Sequence, residues 1–159
     1  ATSNRGACHL KHDTFAEDLS DVSPNGKADP CRLSQDRIAA LDSVGVCLFT
    51  AGTWGLATVA SQLDAACEDS WTEERLVELG ERVWNLERQF NVAAGLRRAD
   101  DTLPPRLLNE PAPSGMAKGK VCDLEPMLDE YYALRGWSND GVPSADTLTR
   151  LGLADVKVA

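Results

Sequence analysis

The sequence predicts an all-α domain, an irregular helical fold with long ordered loops. Apolar residues recur at helical spacing in several segments, and no period-2 run of useful length occurs. Glycines and capping residues bracket the periodic segments. The 159 residues suffice for one domain with a core of its own, and a single helical domain over 1–159 is expected.

Residues 1–34 read as irregular, with turn formers at Asn4, Gly6, Ser23-Pro24-Asn25-Gly26 and Asp29-Pro30. An irregular segment of this length is usually functional or ordered by a partner surface. Ser34 is expected to cap a helix through Ile38, Leu41, Val44 and Leu48, which Gly52 and Gly55 break. A second helix covers Leu56 to Ala66. Ser70-Trp71-Thr72-Glu73 is a capping-box sequence opening a third helix. Leu76, Leu79, Val83, Leu86, Phe90 and Ala93 form its apolar stripe, widened by Val77 and Trp84. Glu74, Arg75, Glu78, Glu81, Arg82, Glu87 and Arg88 read as its solvated face, and Gly95 stops it. Asn85 is expected to satisfy loop backbone. Residues 97–122 form a Pro-rich connection. Asp123 then caps a helix through Leu124, Met127, Leu128, Tyr131, Tyr132 and Leu134 that Gly136 ends. Ser144 caps a short last helix through Leu148 and Leu151.

Composition excludes several function classes. Hydrophobic residues at 43% and charged residues at 26% are globular values, so the whole chain is not disordered. Sixteen Lys+Arg against 25 Asp+Glu leave a net charge of -9, which disfavours nucleic acid and anionic membranes as partners. The uncharged stretch Ser43 to Leu63 is long enough to cross a bilayer, but it carries three glycines and is flanked by Asp42 and Asp64. A buried helical hairpin explains it better than a membrane span. No secretory signal is expected, and the chain reads as processed or as a piece of a longer one. The five cysteines (8, 31, 47, 67 and 122) include no C-x-x-C pair. They fit reduced thiols of a cytoplasmic protein, or one ligand of a metal site completed from elsewhere.

Two segments could carry chemistry. The opening residues place Arg5, Cys8, His9, Lys11 and His12 in a Gly-containing loop. An imidazole moves protons near neutral pH, and Arg or Lys can hold an anionic cofactor. A disordered basic end is the plain alternative. In Asp42-Ser43-Val44-Gly45-Val46-Cys47, a carboxylate in an apolar stretch needs donors such as the N–H groups of a heterocycle. Cys47 could ligate iron as a thiolate, or be an ordinary small apolar residue.

The opening ATSNRGACHL, DSVGVC at 42–47, ERVWNLERQFN at 81–91 and DEYYALRGWSNDGVPSADTLTRLGL at 129–153 resemble the aldehyde:ferredoxin oxidoreductase family. They do so in the same order, over nearly the whole chain, and match the C-terminal quarter or so of such an enzyme. The resemblance implies the last helical domain of a tungsten (or molybdenum) bis-pterin, [4Fe-4S] enzyme. Such enzymes oxidise small aldehydes to carboxylic acids and pass electrons to ferredoxin. It implies that His9 assists proton transfer, Asp42 anchors a pterin, and Cys47 is the fourth cluster ligand. Lys11 and Arg5 would contact the cofactor, as would Leu48 through its backbone. Residues 1–34 would then face the cofactor. The N-terminal domains of the same enzyme are the implied partners, with self-association left open. The family's three upstream cluster cysteines are absent, so the chain alone is expected to hold neither cofactor and to be inactive. Two alternatives stand beside this: a family enzyme acting on another carbonyl or an aromatic thioester, and a cofactor-free helical interaction module.

Overall fold

A computed structural model of the chain describes residues 1–6, 8–50 and 53–158. They form seven α-helices: α1 (Phe15–Ser20), α2 (Ala28–Val44), α3 (Leu56–Ala66), α4 (Glu73–Ala93), α5 (Pro105–Asn109), α6 (Leu124–Arg135) and α7 (Ala145–Arg150). Short 3-10 turns lie at His9–Lys11, Leu48–Thr50 and Arg98–Asp100. β contacts among the described residues are isolated bridges, so the all-α expectation holds.

Helix α2 departs from expectation at both ends. It starts at Ala28, so the irregular opening is shorter than residues 1–34 and itself contains α1. Asp29-Pro30 is not a turn but the first turn of α2, where a missing N–H removes no intrahelical bond. Ser34 is therefore inside α2, not its cap, and its hydroxyl receives the Asp13 N–H at 2.7 Å. The helix ends at Val44 rather than Leu48. Gly45 takes the left-handed conformation (φ 82°), and Val46 N–H returns to Leu41 O, a Schellman closure. Gly52 lies outside the described residues. Helix α3 has the predicted bounds. No helix among the described residues is long and apolar enough to cross a membrane.

Helix α4 is the predicted length, but its buried face is turned. Thr72 caps it, accepting from Arg75 N. The buried row is Leu76, Gly80, Trp84 and Arg88, spaced by four, with Asn85 beside it. Phe90 is 59 % exposed and Ala93 is also exposed. Gly80 is the reason. A Cβ there would lie 1.8 Å from the Asp36 carbonyl oxygen, so α4 crosses α2 with backbone against backbone. Around this crossing lie two apolar clusters. One gathers Ala28, Ala39, Trp84, Leu128, Tyr131, Tyr132 and Trp137, and the other Ala40, Leu41, Leu56, Val59, Ala60 and Leu76.

The first cluster encloses charge that periodicity does not reveal. Arg135 donates to Asp36 at 2.5 Å, and both side chains are fully buried. Arg135 also donates to Gln35 Oε1 (2.9 Å) and to Tyr131 OH (3.0 Å). Tyr131 OH donates on to Gln35 Oε1, and Trp84 Nε1 donates to Tyr131 OH. Burial pushes the Asp36 carboxyl up from its ordinary value while the Arg135 and Arg32 guanidiniums pull it down. A second buried pair lies one turn further along the same face of α4. Arg88, expected on the solvated face, donates through both terminal nitrogens to Asp101 (2.9 and 2.7 Å) and through Nε to Gly141 O. Asn85 serves an indole rather than loop backbone, accepting from Trp137 Nε1 at 2.7 Å. Gly136 ends α6 in the left-handed region. Asp123 stands at the N-cap of α6 but makes no side-chain cap bond, whereas Ser144 caps α7 as expected.

Asp36→Leu strands a buried guanidinium and should lower the unfolding free energy by about 3–5 kcal/mol, the range for breaking one partner of a buried pair. The double variant Asp36→Leu/Arg135→Met should recover more than half of that in urea titrations. A double variant no more stable than the single one would show that the pair is not the source of the loss. At the surface, hydrogen bonds from Arg150 hold the Glu81 carboxyl below its ordinary value of 4.5. A depressed carboxylate adds stability above pH 4.5 that is lost as pH falls through the folded value. The stability gap between wild type and Arg150→Leu should therefore shrink as urea midpoints are taken from pH 6 down to about pH 3. A gap that stays constant would contradict the pairing.

Candidate functional site

The predicted site residues lie where the opening segment meets the C-terminal end of α2. Lys11 ends the His9–Lys11 turn, and its Nζ donates to Asp42 Oδ2 at 2.5 Å. Residues 31 positions apart are thus joined, Lys11 half-buried and Asp42 more open. The Asp42 carboxylate is not enclosed in an apolar stretch, as the sequence suggests. It sits on the last turn of α2, exposed, with Lys11 as its donor. The two residues line a cleft of about 190 Å³ with Asn4, Ser43, Trp84 and Glu87.

His9 is exposed on the same short turn as Lys11. Cys47 and Leu48 follow Gly45, which turns the chain away from α2. Cys47 is exposed and Leu48 half-buried. Cys47 O accepts from Thr50 N and Oγ1, which fixes the backbone that presents the thiol. Arg5 is exposed and is not among the cleft residues. Its Nε donates to Cys8 Sγ at 3.2 Å. Slight burial opposes it, yet the Leu10 N–H and Arg5 hold the Cys8 thiol below its ordinary value. Sequence reasoning places Cys8 in this loop but assigns it no role of its own. The Arg5-x-x-Cys8 spacing was the signal available for that contact.

The five cysteines are free. Among the described residues no three His, Cys, Asp or Glu side chains gather as metal ligands. Three buried polar atoms of the opening segment, Ser3 Oγ, Asn4 Oδ1 and His12 Nδ1, have no hydrogen-bond partner among the described residues.

Comparison with known proteins bears on this geometry. The family described as "Aldehyde ferredoxin oxidoreductase, domains 2 & 3" matches residues 1–153. The chain belongs to the aldehyde ferredoxin oxidoreductase family. The tungsten-containing aldehyde ferredoxin oxidoreductase of Pyrococcus furiosus is 42 % identical over 166 residues, covering 98 % of this chain and 27 % of the relative. That of Thermococcus kodakarensis is 40 % identical, with the same coverage. The chain thus spans about a quarter of the length of these relatives. A P. furiosus aliphatic sulfonate oxidoreductase, WOR-like subunit, is 34 % identical over 93 residues, or 54 % of this chain and 15 % of that one. Among solved structures, the active site complex BamBC of benzoyl coenzyme A reductase superposes with a TM-score of 0.66 at 24 % identity. It covers 83 % of this chain and 20 % of that chain, a likeness of fold.

The family's tungsten cofactor can be tested against these residues. A carboxylate with one oxygen on Lys11, beside the unpartnered acceptor Asn4 Oδ1, is a donor-seeking wall that suits a heterocycle bearing N–H groups. The Lys11 ammonium suits an anionic group at the same wall. An iron–sulfur cluster fits Cys47 only as one ligand of several, the others coming from outside the described residues.

The exposure pattern predicts an order of thiol reactivity. Cys47 and Cys67 should react with a maleimide ahead of Cys31, whose thiol burial pushes up. Peptide mass spectrometry of the partly labelled chain reads this order. Labelling of Cys31 first would contradict the placement of α2.

Proposed function

We propose that this chain forms one wall of the cofactor site of an oxidoreductase that converts aldehydes to carboxylic acids. In a chain of this family, the observation that carries the proposal is the 2.5 Å Lys11–Asp42 pair, joining two family-matching motifs at one cleft. Oxidation of an aldehyde by water to the acid releases two electrons and two protons. A tungsten–pterin group, when bound, supplies the two-electron acceptor. The protein's part is binding, orientation and proton handling. Lys11 fixes Asp42 Oδ2, which leaves Oδ1 as the oxygen that would accept pterin N–H groups, and the Lys11 ammonium would offer its charge to the anionic part of the cofactor. Arg5, and Leu48 through its backbone, would make further cofactor contacts, although neither lines the cleft itself. His9, exposed beside Lys11, takes a proton from the reacting centre and passes it on to water. Cys47 would offer one thiolate to a [4Fe-4S] cluster whose other ligands come from upstream domains, and such a cluster would supply one-electron transfer toward ferredoxin.

On this reading, residues 1–159 are a C-terminal part of a larger enzyme, inactive alone, whose free thiols suit the cytoplasm. A second reading rests on the aliphatic sulfonate oxidoreductase relative. The same wall would then serve a substrate other than an aldehyde, chosen by residues outside this chain.

The test uses the full-length enzyme, purified without oxygen from tungstate-supplemented cells. Wild type should hold about four irons and about one tungsten by mass spectrometry. Cys47→Ala should lose iron. His9→Ala should keep both metals and lose aldehyde oxidation by roughly 100-fold or more, as for a proton-transfer residue. Wild type without tungsten, or Cys47→Ala with full iron, would defeat the proposal.

A further inference from the structure

The helix α4 segment at 85–91 has a role that neither its periodicity nor the cofactor reading assigns. Asn91 Nδ2 donates to the backbone carbonyl of Asn4 at 2.6 Å. Asn4 Nδ2 in turn donates to Glu87 Oε2. Glu87 and Asn91 are one helical turn apart, so together they grip both the backbone and the side chain of one loop residue. Thr2, two positions earlier, accepts from the buried Gln35 at 3.2 Å. On the other side of the His9–Lys11 turn, Lys11 is held by Asp42, and Asp13 N–H by Ser34.

The turn carrying His9 is therefore suspended between two anchorages. One is on α4 through Asn4, and the other on α2 through Lys11 and Asp13. Gly6 (φ +75°) makes the reversal after Asn4. Asn4 and Glu87 line the same cleft as Lys11 and Asp42, so the anchorage on α4 is also a wall of the candidate site. A polar clamp from a helix face is rigid, whereas an eleven-residue loop tied at one end would sample many positions.

We propose that Glu87 and Asn91 are positioning residues, acting through Asn4 to set where the His9–Lys11 turn stands over the cleft. Neither needs to touch substrate. The inference rests on the proposed function for its catalytic consequence, but not for the clamp itself.

The experiment compares full-length wild type with Asn91→Ala, Glu87→Ala and Glu87→Gln. Backbone hydrogen exchange of peptides covering residues 1–13 reads the clamp without reference to activity, and kcat, KM, metal content and Tm are measured alongside. Asn91→Ala and Glu87→Ala should speed exchange in that peptide while tungsten content and Tm stay at wild-type values. The same variants should lower kcat by roughly 10- to 100-fold with KM little changed, the loss expected for about 1 Å of misplacement. Glu87→Gln retains an acceptor for the Asn4 amide and should restore slow exchange and most of kcat. Unchanged exchange in the Ala variants, or kcat, metal content and Tm falling together, would overturn the positioning role. If wild type holds no tungsten and oxidises no aldehyde, the proposed function fails, while the exchange comparison still decides the clamp.

Discussion

The close crossing of α2 and α4 at Gly80 governs the rest of the molecule. With Asp36 O where a Cβ would stand, no other residue type fits position 80 without moving one helix. The crossing brings Asp36 and Gln35 of α2 under Trp84 of α4, and α6 closes over them with Tyr131 and Arg135. A guanidinium without solvent needs every donor directed. Here it has Asp36, Gln35, Tyr131 and the Arg32 carbonyl, and it lies over the faces of Tyr131 and Trp84 at 5.3 and 5.6 Å. The pair specifies one register between α2 and α6, because a slip would strand both charges.

The candidate site sits at the edge of that frame, and its parts borrow the frame's rigidity unequally. Asp42 rides on the last turn of α2, whose middle is locked in the core. The His9–Lys11 turn belongs to a segment with little buried apolar surface, held by hydrogen bonds to α2 and α4. Cys47 stands beyond the Schellman closure, exposed and backed by Thr50, with Phe49, two residues on, 88 % exposed. A frame fixed by buried charge, with reactive groups displayed at its margin, suits a wall that other domains complete.

The helices were largely legible in the sequence, and the buried face of α4 was not. Capping residues and glycines marked α3, α4, α6 and α7 because their signals are local. Asp29-Pro30 misled because the same dipeptide serves a turn or a first helical turn, and only the packing of α2 against α4 and α6 decides between them. The stripe through Phe90 misled because Gly80 and Arg88 carry no hydrophobic signal, yet the crossing buries both. A buried Arg announces itself only through its partner, and Asp101 lies thirteen residues away in a Pro-rich connection. The motifs that carry the family resemblance located Lys11 and Asp42. That the two meet is a fact of packing, and so is the grip of Glu87 and Asn91 on Asn4.

The central claim is that the end of α2 and the opening turn form one face of a cofactor site. The most direct measurement is a crystal structure of the full-length enzyme with its cofactors bound. The account predicts Asp42 Oδ1 within hydrogen-bond distance, about 3 Å, of a pterin nitrogen, Lys11 still on Oδ2, and Cys47 Sγ bonded to iron. A cofactor bound elsewhere, with Asp42 and Cys47 facing solvent, would contradict it.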